Sequence, residues 1–170
     1  MALADGGRYS KEVTAGVVRA LRLAGASGEP MRTVDAAVAE TERGLVGDRH
    51  SRRPPGHRRQ VLLVDQAELD LLGLPGGVLK ENVVLEGVAL ESLPPGQRLH
   101  LGPEVVLELT EPCLPCSKLE GIRPGLISEA WGHRGQLARV VVGGTIGVGD
   151  PVRLGEINPE APRPIRPKLP

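Results

Sequence analysis

The segment around the two cysteines, Cys113 and Cys116, contains the residue types best suited to chemistry. It reads Thr-Glu-Pro-Cys-Leu-Pro-Cys-Ser-Lys-Leu, so that a predicted strand ends here and two prolines stiffen the following loop. Thiolates rather than thiols attack electrophiles and bind metals, and nearby cations or a helix N-terminus favour the thiolate. Cys116 precedes a predicted helical turn and stands two residues from Lys118. We therefore predict that Cys116 is the reactive residue and that Cys113 is structural.

Other interpretations of the Cys-x-x-Cys pair stay open. The two cysteines could form half of a structural zinc site, which needs four ligands, and His50 and His57 are available to complete it. A thioredoxin-like redox pair needs an α/β context that the strand pattern does not supply. A purely structural role for Cys116 is the third alternative.

A basic segment from Thr41 to Arg59 is the second candidate region. Within it, Gly44-Leu45-Val46-Gly47-Asp48-Arg49-His50 predicts a tight turn that brings an acid, a base and an imidazole together. Asp48 is suited to orienting a basic partner, whereas His50 alone is a weak signal. The alternative is a solvated loop in which Asp48 pairs with an arginine.

Two further segments place polar residues directly before apolar strands, where the rim of a barrel commonly carries sites. One contains Lys80 and Asn82, and the other contains Arg134. Taken alone, the segment with Lys80 and Asn82 is better explained as an ordinary strand entry. The glycines from Gly143 to Gly149 predict tight turns, not a phosphate loop, because the Gly-Lys-Ser/Thr ending is missing.

The chain must position these residues with short strands separated by Gly and Pro turns, a pattern typical of a barrel or sandwich. A helix is predicted over Gln66 to Leu72 with Asp65 as its N-cap. We predict one domain over residues 1–157 and a Pro-rich tail over residues 158–170. Predicted strands cover Lys11 to Ala24, Thr33 to Val38, Val61 to Val64, Asn82 to Leu85, Val105 to Thr110, Gln136 to Val142 and Pro151 to Leu154.

Composition argues against several classes of partner. The formal net charge is zero, with 21 basic and 21 acidic residues, so no overall field attracts nucleic acid or a membrane surface. One Trp, one Tyr and no Phe leave no platform for stacking bases. No apolar run approaches the length of a membrane span, no secretory signal is visible, and two cysteines do not make a disulfide scaffold. We expect a soluble protein in the reducing cytoplasm.

Taken together and in order, these segments resemble the MOSC domain, the family named after the C-terminal domain of molybdenum cofactor sulfurase. The resemblance spans roughly Thr14 to Leu154. Its matching pieces are Gly44–His50, Val61–Val64, Lys80–Gly87, Pro115-Cys116 with Leu119, Arg134-Gly135, the strand ending in Gly144, and Gly149-Asp150-Pro151-Val152.

The resemblance implies a mostly antiparallel β-barrel of the MOSC and pyruvate-kinase-barrel type, with a few short helices. It implies that Cys116 either ligates the molybdenum of a molybdenum–molybdopterin cofactor or carries sulfur as a persulfide. Arg49, Lys80, Asn82 and Arg134 are then expected to bind the cofactor, with Asp48 and His50 as catalytic partners. The first function is a molybdenum-dependent oxidoreductase acting on N-oxygenated small molecules; the second is a sulfurtransferase-like carrier; a non-catalytic cofactor-binding module is the third.

Each function implies its own partner protein. An oxidoreductase needs an electron-donor protein and a small-molecule substrate. A sulfur carrier needs a separate cysteine desulfurase, because the chain resembles only the C-terminal domain of the large sulfurases.

Overall fold

The computed structural model describes residues 14–163, and strands dominate this part of the chain. The two α-helices are α1 (Gln66–Leu72) and α2 (Leu126–Glu129). The strands are β1 (Thr14–Leu23), β2 (Arg32–Val34), β3 (Ala36–Glu40), β4 (Gly44–Leu45), β5 (Val61–Asp65), β6 (Val83–Glu86), β7 (Gln97–Leu101), β8 (Val105–Pro112), β9 (Gln136–Val142), β10 (Gly144–Gly147) and β11 (Pro151–Ile157).

Seven of these strands close into a barrel. Their order is β11-β7-β8-β9-β5-β6-β1, and β1 pairs with β11 to complete the ring. Every neighbouring pair is antiparallel except β5 and β6, which run parallel. Strand β2 adds to β1, while β10, β3 and β4 form a separate small sheet. The predicted fold class, a mostly β barrel with a few short helices, is confirmed.

Strand β5 shows how the sequence builds two cores. All five of its residues are buried, and successive side chains point to opposite faces of a strand. Val61 and Leu63 therefore face the barrel interior, whereas Leu62 and Val64 face an outer cluster that includes Leu69, Leu72, Leu119 and Leu126. The outer cluster lies beneath α1, α2 and the turn after Cys116. Each fully buried Leu or Val contributes about 1.5–3 kcal/mol relative to exposure.

Helix α1 forms as predicted. The side chain of Asp65 accepts a hydrogen bond from the backbone N–H of Ala67, which satisfies one of the free N–H groups at the helix start. Leu69 and Leu72 lie on the buried face. Within residues 14–163, neither helix has the length and apolar character needed to span a membrane.

One predicted strand is wrong as a single element. The segment predicted as Thr33 to Val38 divides at Asp35, whose carbonyl accepts a hydrogen bond from Val148 N–H. Strand β2 before it pairs with β1, and β3 after it pairs with β10 and β4. The two halves therefore belong to different sheets, a division made by distant partners that no local pattern encodes.

Several elements are additional to the prediction, and one predicted boundary lies outside the described residues. The additional elements are strands β4, β7 and β10 and helix α2. Strand β4 and a 3-10 helix at Arg49–Arg52 interrupt the basic segment, for which the sequence predicts a loop. The first predicted strand begins at Lys11, and residues 11–13 fall outside the description.

The described part of the tail contacts the barrel. The backbone N–H of Asn158 donates to the carbonyl of Gly96, and its side-chain amide donates to the Glu108 carboxylate. Arg58 donates to the carbonyl of Pro162. The boundary at residue 157 stays a prediction, and residues 164–170 lie outside the description.

Candidate functional site

A cavity of about 300 Å³ opens beside the two cysteines, and we call it the cysteine pocket. Among the described residues that line it, none is Asp or Glu, so the pocket has a strongly positive lining. The lining consists of Arg49, His50, Arg53, Arg59, Gln60, Val61, Leu62, Leu79, Lys80, Cys113, Leu114, Cys116, Lys118, Arg134 and Leu137.

Cys116 lies at the edge of this pocket with its free thiol exposed. It is the N-cap residue of a 3-10 helix at Ser117–Gly121, and its carbonyl accepts the first hydrogen bond of that turn, from Leu119 N–H at 3.0 Å. Leu119 is buried in the outer cluster and anchors the turn. The thiol is therefore accessible but held on a short, well-anchored segment beside Lys118.

Cys113 has a different environment. Its side chain packs against the outer cluster, and its backbone N–H donates to the carbonyl of Gly135 at 2.9 Å. Burial raises the pKa of the Cys113 thiol, and the opposing influence of Arg134 and Arg59 does not cancel this effect. A raised pKa disfavours the nucleophilic thiolate. A lower reactivity of Cys113 than of Cys116 stays a prediction, which the burial of Cys113 supports.

Arg134 is the most unusual residue in the lining. It is only 9% exposed, and its buried Nε and Nη1 atoms have no hydrogen-bond partner in the protein. Burying an unpaired guanidinium is unfavourable by several kcal/mol in order of magnitude. By contrast, Arg59 in the same lining pairs with the Glu111 carboxylate at 2.9 Å. An anion in the cysteine pocket would provide the acceptors that the Arg134 guanidinium lacks.

The buried Asp48 and the half-buried His50 form a dyad, in which His50 lines the pocket and Asp48 lies behind it. Asp48 is 1% exposed, and its Oδ1 lies 2.8 Å from His50 Nδ1 and accepts the His50 backbone N–H at 3.0 Å. Burial alone would raise the pKa of Asp48, but hydrogen bonds from His50 and Ala24 outweigh it and hold the pKa below its ordinary value. An ionised carboxylate only accepts, so His50 Nδ1 carries the hydrogen and Nε2 is left for other partners.

Asn82 lies behind this dyad and does not line the cysteine pocket. Its side-chain amide donates to Asp48 Oδ2 at 2.9 Å and to the carbonyl of Arg22, and its Oδ1 accepts the N–H of Leu62. Each polar atom of the side chain thus has a partner within the protein. Its predicted contact with a cofactor stays a prediction, whereas its contact with Asp48 is observed.

The remaining predicted residues converge on the pocket. Arg49 and Lys80 line it together with His50, Cys116 and Arg134, although these residues come from four separate segments of the sequence. Lys80 is exposed, and its Nζ donates to the carbonyl of Glu29 at 3.0 Å. Their functional roles stay predictions.

The sequence places Lys118 beside Cys116, but Lys118, Arg53 and Arg59 are not among the predicted cofactor-binding residues, although all three line the pocket. The sequence feature that could have identified them is position: Arg53 and Arg59 lie in the basic segment, and Lys118 lies two residues after Cys116. That signal marks a region of positive charge but does not say which cations face inward.

The zinc alternative finds no ligand cluster. Across residues 14–163, no three His, Cys, Asp or Glu side chains are grouped so that they would hold a metal ion. His57 directs its Nε2 to the carbonyl of His50 at 3.1 Å.

Residues 47–153 match the family model of the MOSC domain, and this span includes all the predicted site residues. The chain belongs to the MOSC domain family. The fold of this MOSC domain is similar to that of the YuaD protein from Bacillus subtilis, with a TM-score of 0.65 and 22% identity over 82% of this chain and 94% of that chain.

Two YiiM proteins also share the fold. YiiM from Escherichia coli has a TM-score of 0.59 and 21% identity over 84% of this MOSC domain chain and 69% of its own. YiiM from Geobacillus stearothermophilus has a TM-score of 0.60 and 18% identity, with 87% and 77% covered. Comparison with the curated proteins gives no significant match.

Proposed function

We propose that this MOSC domain holds an anionic molybdenum–pterin cofactor in the cysteine pocket and reduces small N-oxygenated compounds. The observation that carries the proposal is the buried guanidinium of Arg134, whose Nε and Nη1 have no partner in the protein, in a pocket that also exposes the Cys116 thiol. An unpaired buried cation and an accessible sulfur are together the features expected for an anionic group that carries a transition metal.

The donor chemistry of the pocket fits this cofactor. Thiolate is a soft ligand that suits a transition metal, so Cys116 is assigned to molybdenum. Guanidinium groups bind phosphate through paired hydrogen bonds, so Arg134 and Arg49 are assigned to the phosphate of the pterin. Lys80 and Lys118 add positive charge to the same lining.

When bound, the cofactor supplies the two electrons of the reduction. The residues of the chain bind it, orient it and handle protons: Asp48 fixes the ring of His50 through Nδ1, and His50 Nε2 stays available for proton transfer. An electron-donor protein is the partner that restores the electrons, and a cytoplasmic location agrees with the free thiol of Cys116.

Cofactor retention tests the proposal. The protein is purified from a host that makes the cofactor, and its molybdenum and pterin contents are measured. We expect both to be present in the wild type and lost by at least tenfold in Cys116→Ser and in Arg134→Met. Cys113→Ser is the matched cysteine control, and Arg19→Gln, at an exposed arginine on β1, is the matched arginine control. Equal cofactor content in all five proteins contradicts the proposal.

The exposure of Cys116 also favours a second function, in which its thiolate accepts sulfur from a cysteine desulfurase. A partner protein needs access to the sulfur atom, and a thiol at the surface of the pocket provides it. Incubation with a desulfurase and cysteine should then add the mass of one sulfur atom to the wild type and to Cys113→Ser, but not to Cys116→Ser.

If the Cys116→Ser variant keeps its cofactor and no protein gains sulfur, a non-catalytic cofactor-binding module is the remaining function.

A further inference from the structure

A second cavity adjoins the cysteine pocket, and we call it the small cavity. Its volume is about 230 Å³. It shares Arg49, His50, Lys80 and Lys118 with the cysteine pocket, so the two form one cleft with a common wall. Its other lining residues are Ala24, Ala26, Ser27, Gly28, Glu29, Met31 and Asp48.

The size of the small cavity limits what it can hold. A cavity of about 150 Å³ accommodates benzene, whereas sites for drug-sized ligands are about 300–1,000 Å³. A volume of about 230 Å³ therefore suits one aromatic ring with a small polar substituent.

The polarity of the small cavity differs from that of the cysteine pocket. Ala24, Ala26 and Met31 give its outer walls an apolar surface, and the cations are confined to the wall that it shares with the cysteine pocket. A carboxylate, Glu29, also lines it, so an anion is disfavoured relative to the cysteine pocket. The complementary ligand is uncharged, apolar at one end and polar at the end nearest the shared wall.

His50 stands on that shared wall with its orientation fixed. Asp48 Oδ1 holds Nδ1 at 2.8 Å, and Asp48 itself is held by the N–H of Ala24 and the amide of Asn82. In the described part of the chain, Nε2 of His50 makes no hydrogen bond. The ring is 21% exposed, which lets it recover a proton from solvent.

We infer that the small cavity binds the N-oxygenated substrate, a small uncharged compound with one aromatic ring, and that His50 donates the proton taken up by the departing oxygen. The inference rests on the proposed function.

The reaction can be written for an amidoxime as substrate. The N–O bond breaks as two electrons are taken up, and the oxygen leaves as water after it takes one proton from His50 and keeps its own. The nitrogen takes a second proton from solvent, so amidoxime, two electrons and two protons yield amidine and water. An external electron-donor protein replaces the two electrons.

Binding to the small cavity is tested without turnover. The full chain is prepared in a host that cannot make the pterin, and benzamidoxime binding is measured by NMR titration. Ala26→Phe fills the cavity and should weaken binding at least tenfold, while Ala67→Phe, a matched change on the exposed side of α1, should leave it unchanged. Pyrophosphate is used as an anionic probe of the cysteine pocket. Its ability to protect the Cys116 thiol from alkylation should be the same in both variants. Absence of binding in the wild type, or equal binding in both variants, overturns the inference.

The role of His50 is tested on the cofactor-loaded protein. We expect His50→Gln to lower kcat for benzamidoxime about 100-fold or more, the range of general acid catalysis, and to change KM by less than about threefold. Molybdenum content should stay at the wild-type level. A kcat within threefold of wild type, or a loss that appears only in KM, overturns the assignment of His50.

The two proposals fail in different ways. If the protein carries no molybdenum or pterin but Ala26→Phe abolishes benzamidoxime binding, the proposed function is wrong and the binding assignment of the small cavity stands. If the cofactor is retained through Cys116 and Arg134 but benzamidoxime binding ignores Ala26→Phe, the proposed function stands and the small cavity is wrongly assigned.

Discussion

Two charged residues in and behind the cysteine pocket are buried, which the formation of the barrel does not itself require. Arg134 is buried without partners for two of its nitrogen atoms, and Asp48 is a buried carboxylate that receives donors from three residues. The first arrangement opposes folding and the second supports it. Arg134 therefore has the features of a residue that serves binding, and Asp48 those of a residue that serves stability. Each can be tested by a single substitution.

Replacing Arg134 should improve stability while it harms binding. Arg134→Met removes buried donors without acceptors, so we expect the free energy of unfolding to stay equal or rise by about 1–3 kcal/mol. Pyrophosphate affinity should fall at least tenfold. The matched control is Arg139→Met, which removes a guanidinium paired with Glu42 and Glu108 and should lower the free energy of unfolding. Urea denaturation measures both, and a large destabilisation by Arg134→Met contradicts the assignment.

Asp48 should contribute stability in a defined pH range. Its folded pKa lies below the ordinary value of 3.8, so the ionised carboxylate stabilises the fold above that pH and the contribution disappears as the pH falls through the folded pKa. We expect Asp48→Asn to lower the free energy of unfolding at pH 7 by about 2 kcal/mol, since it weakens hydrogen bonds to a charged group. The difference from wild type should shrink below pH 3.8. A difference that is independent of pH contradicts this role of the ionised carboxylate.

At the scale of elements, the accuracy of prediction follows how local the determining contacts are. Helix α1 and strand β5 are predictable because the N-cap of Asp65 and the apolar run of Val61–Val64 are local signals. The division of the segment at Asp35 and the contact of Asn82 with Asp48 are not predictable, because each depends on a partner far away in the sequence. The candidate role of Cys116 rests on local signals in its own loop and stays a prediction. The inward position of Arg59 depends instead on how that loop meets the basic segment.

The connection between β9 and the cysteine loop depends on Gly135. This residue has φ +93°, and a Cβ atom there would lie 2.3 Å from the Leu63 carbonyl oxygen and 2.8 Å from Val64. We expect Gly135→Ala to lower the free energy of unfolding by about 2–4 kcal/mol, because the steric conflict with backbone adds to the strain of positive φ. It should also weaken pyrophosphate binding, because Gly135 follows Arg134 and its carbonyl accepts the Cys113 N–H.

Gly132→Ala is the matched control for that change. Gly132 also has positive φ, +77°, but no atom lies within 4 Å of the position that a Cβ would take there. Its substitution should cost only the backbone strain, about 1 kcal/mol. Equal destabilisation by the two substitutions, measured by urea denaturation, would show that the contact with β5 has no importance.

For the whole molecule, the neighbouring positions of β8, β9, β5 and β6 in the barrel bring four separate segments to one cleft. The described tail extends this organisation, since Asn158 joins Gly96 and Glu108 on the barrel. Asn158, the first residue after the predicted domain boundary, therefore contacts the barrel.

A chain that ends after Ile157 should be less stable than the full chain. Loss of the Asn158 hydrogen bonds to Gly96 and Glu108 should lower the free energy of unfolding by about 1–2 kcal/mol. Asn158→Ala in the full chain should reproduce only the side-chain part of this loss. If thermal denaturation shows no difference between the truncated and full chains, the domain ends at residue 157 as predicted from the sequence.

The central claim is that Cys116 and Arg134 jointly hold one anionic, metal-bearing group. The most direct measurement is a crystal structure of the wild-type protein purified from a host that makes the cofactor. We expect metal density within bonding distance of the Cys116 sulfur and phosphate density against the Arg134 guanidinium. A cofactor bound elsewhere, with the sulfur unliganded and Arg134 still without partners, would contradict the claim.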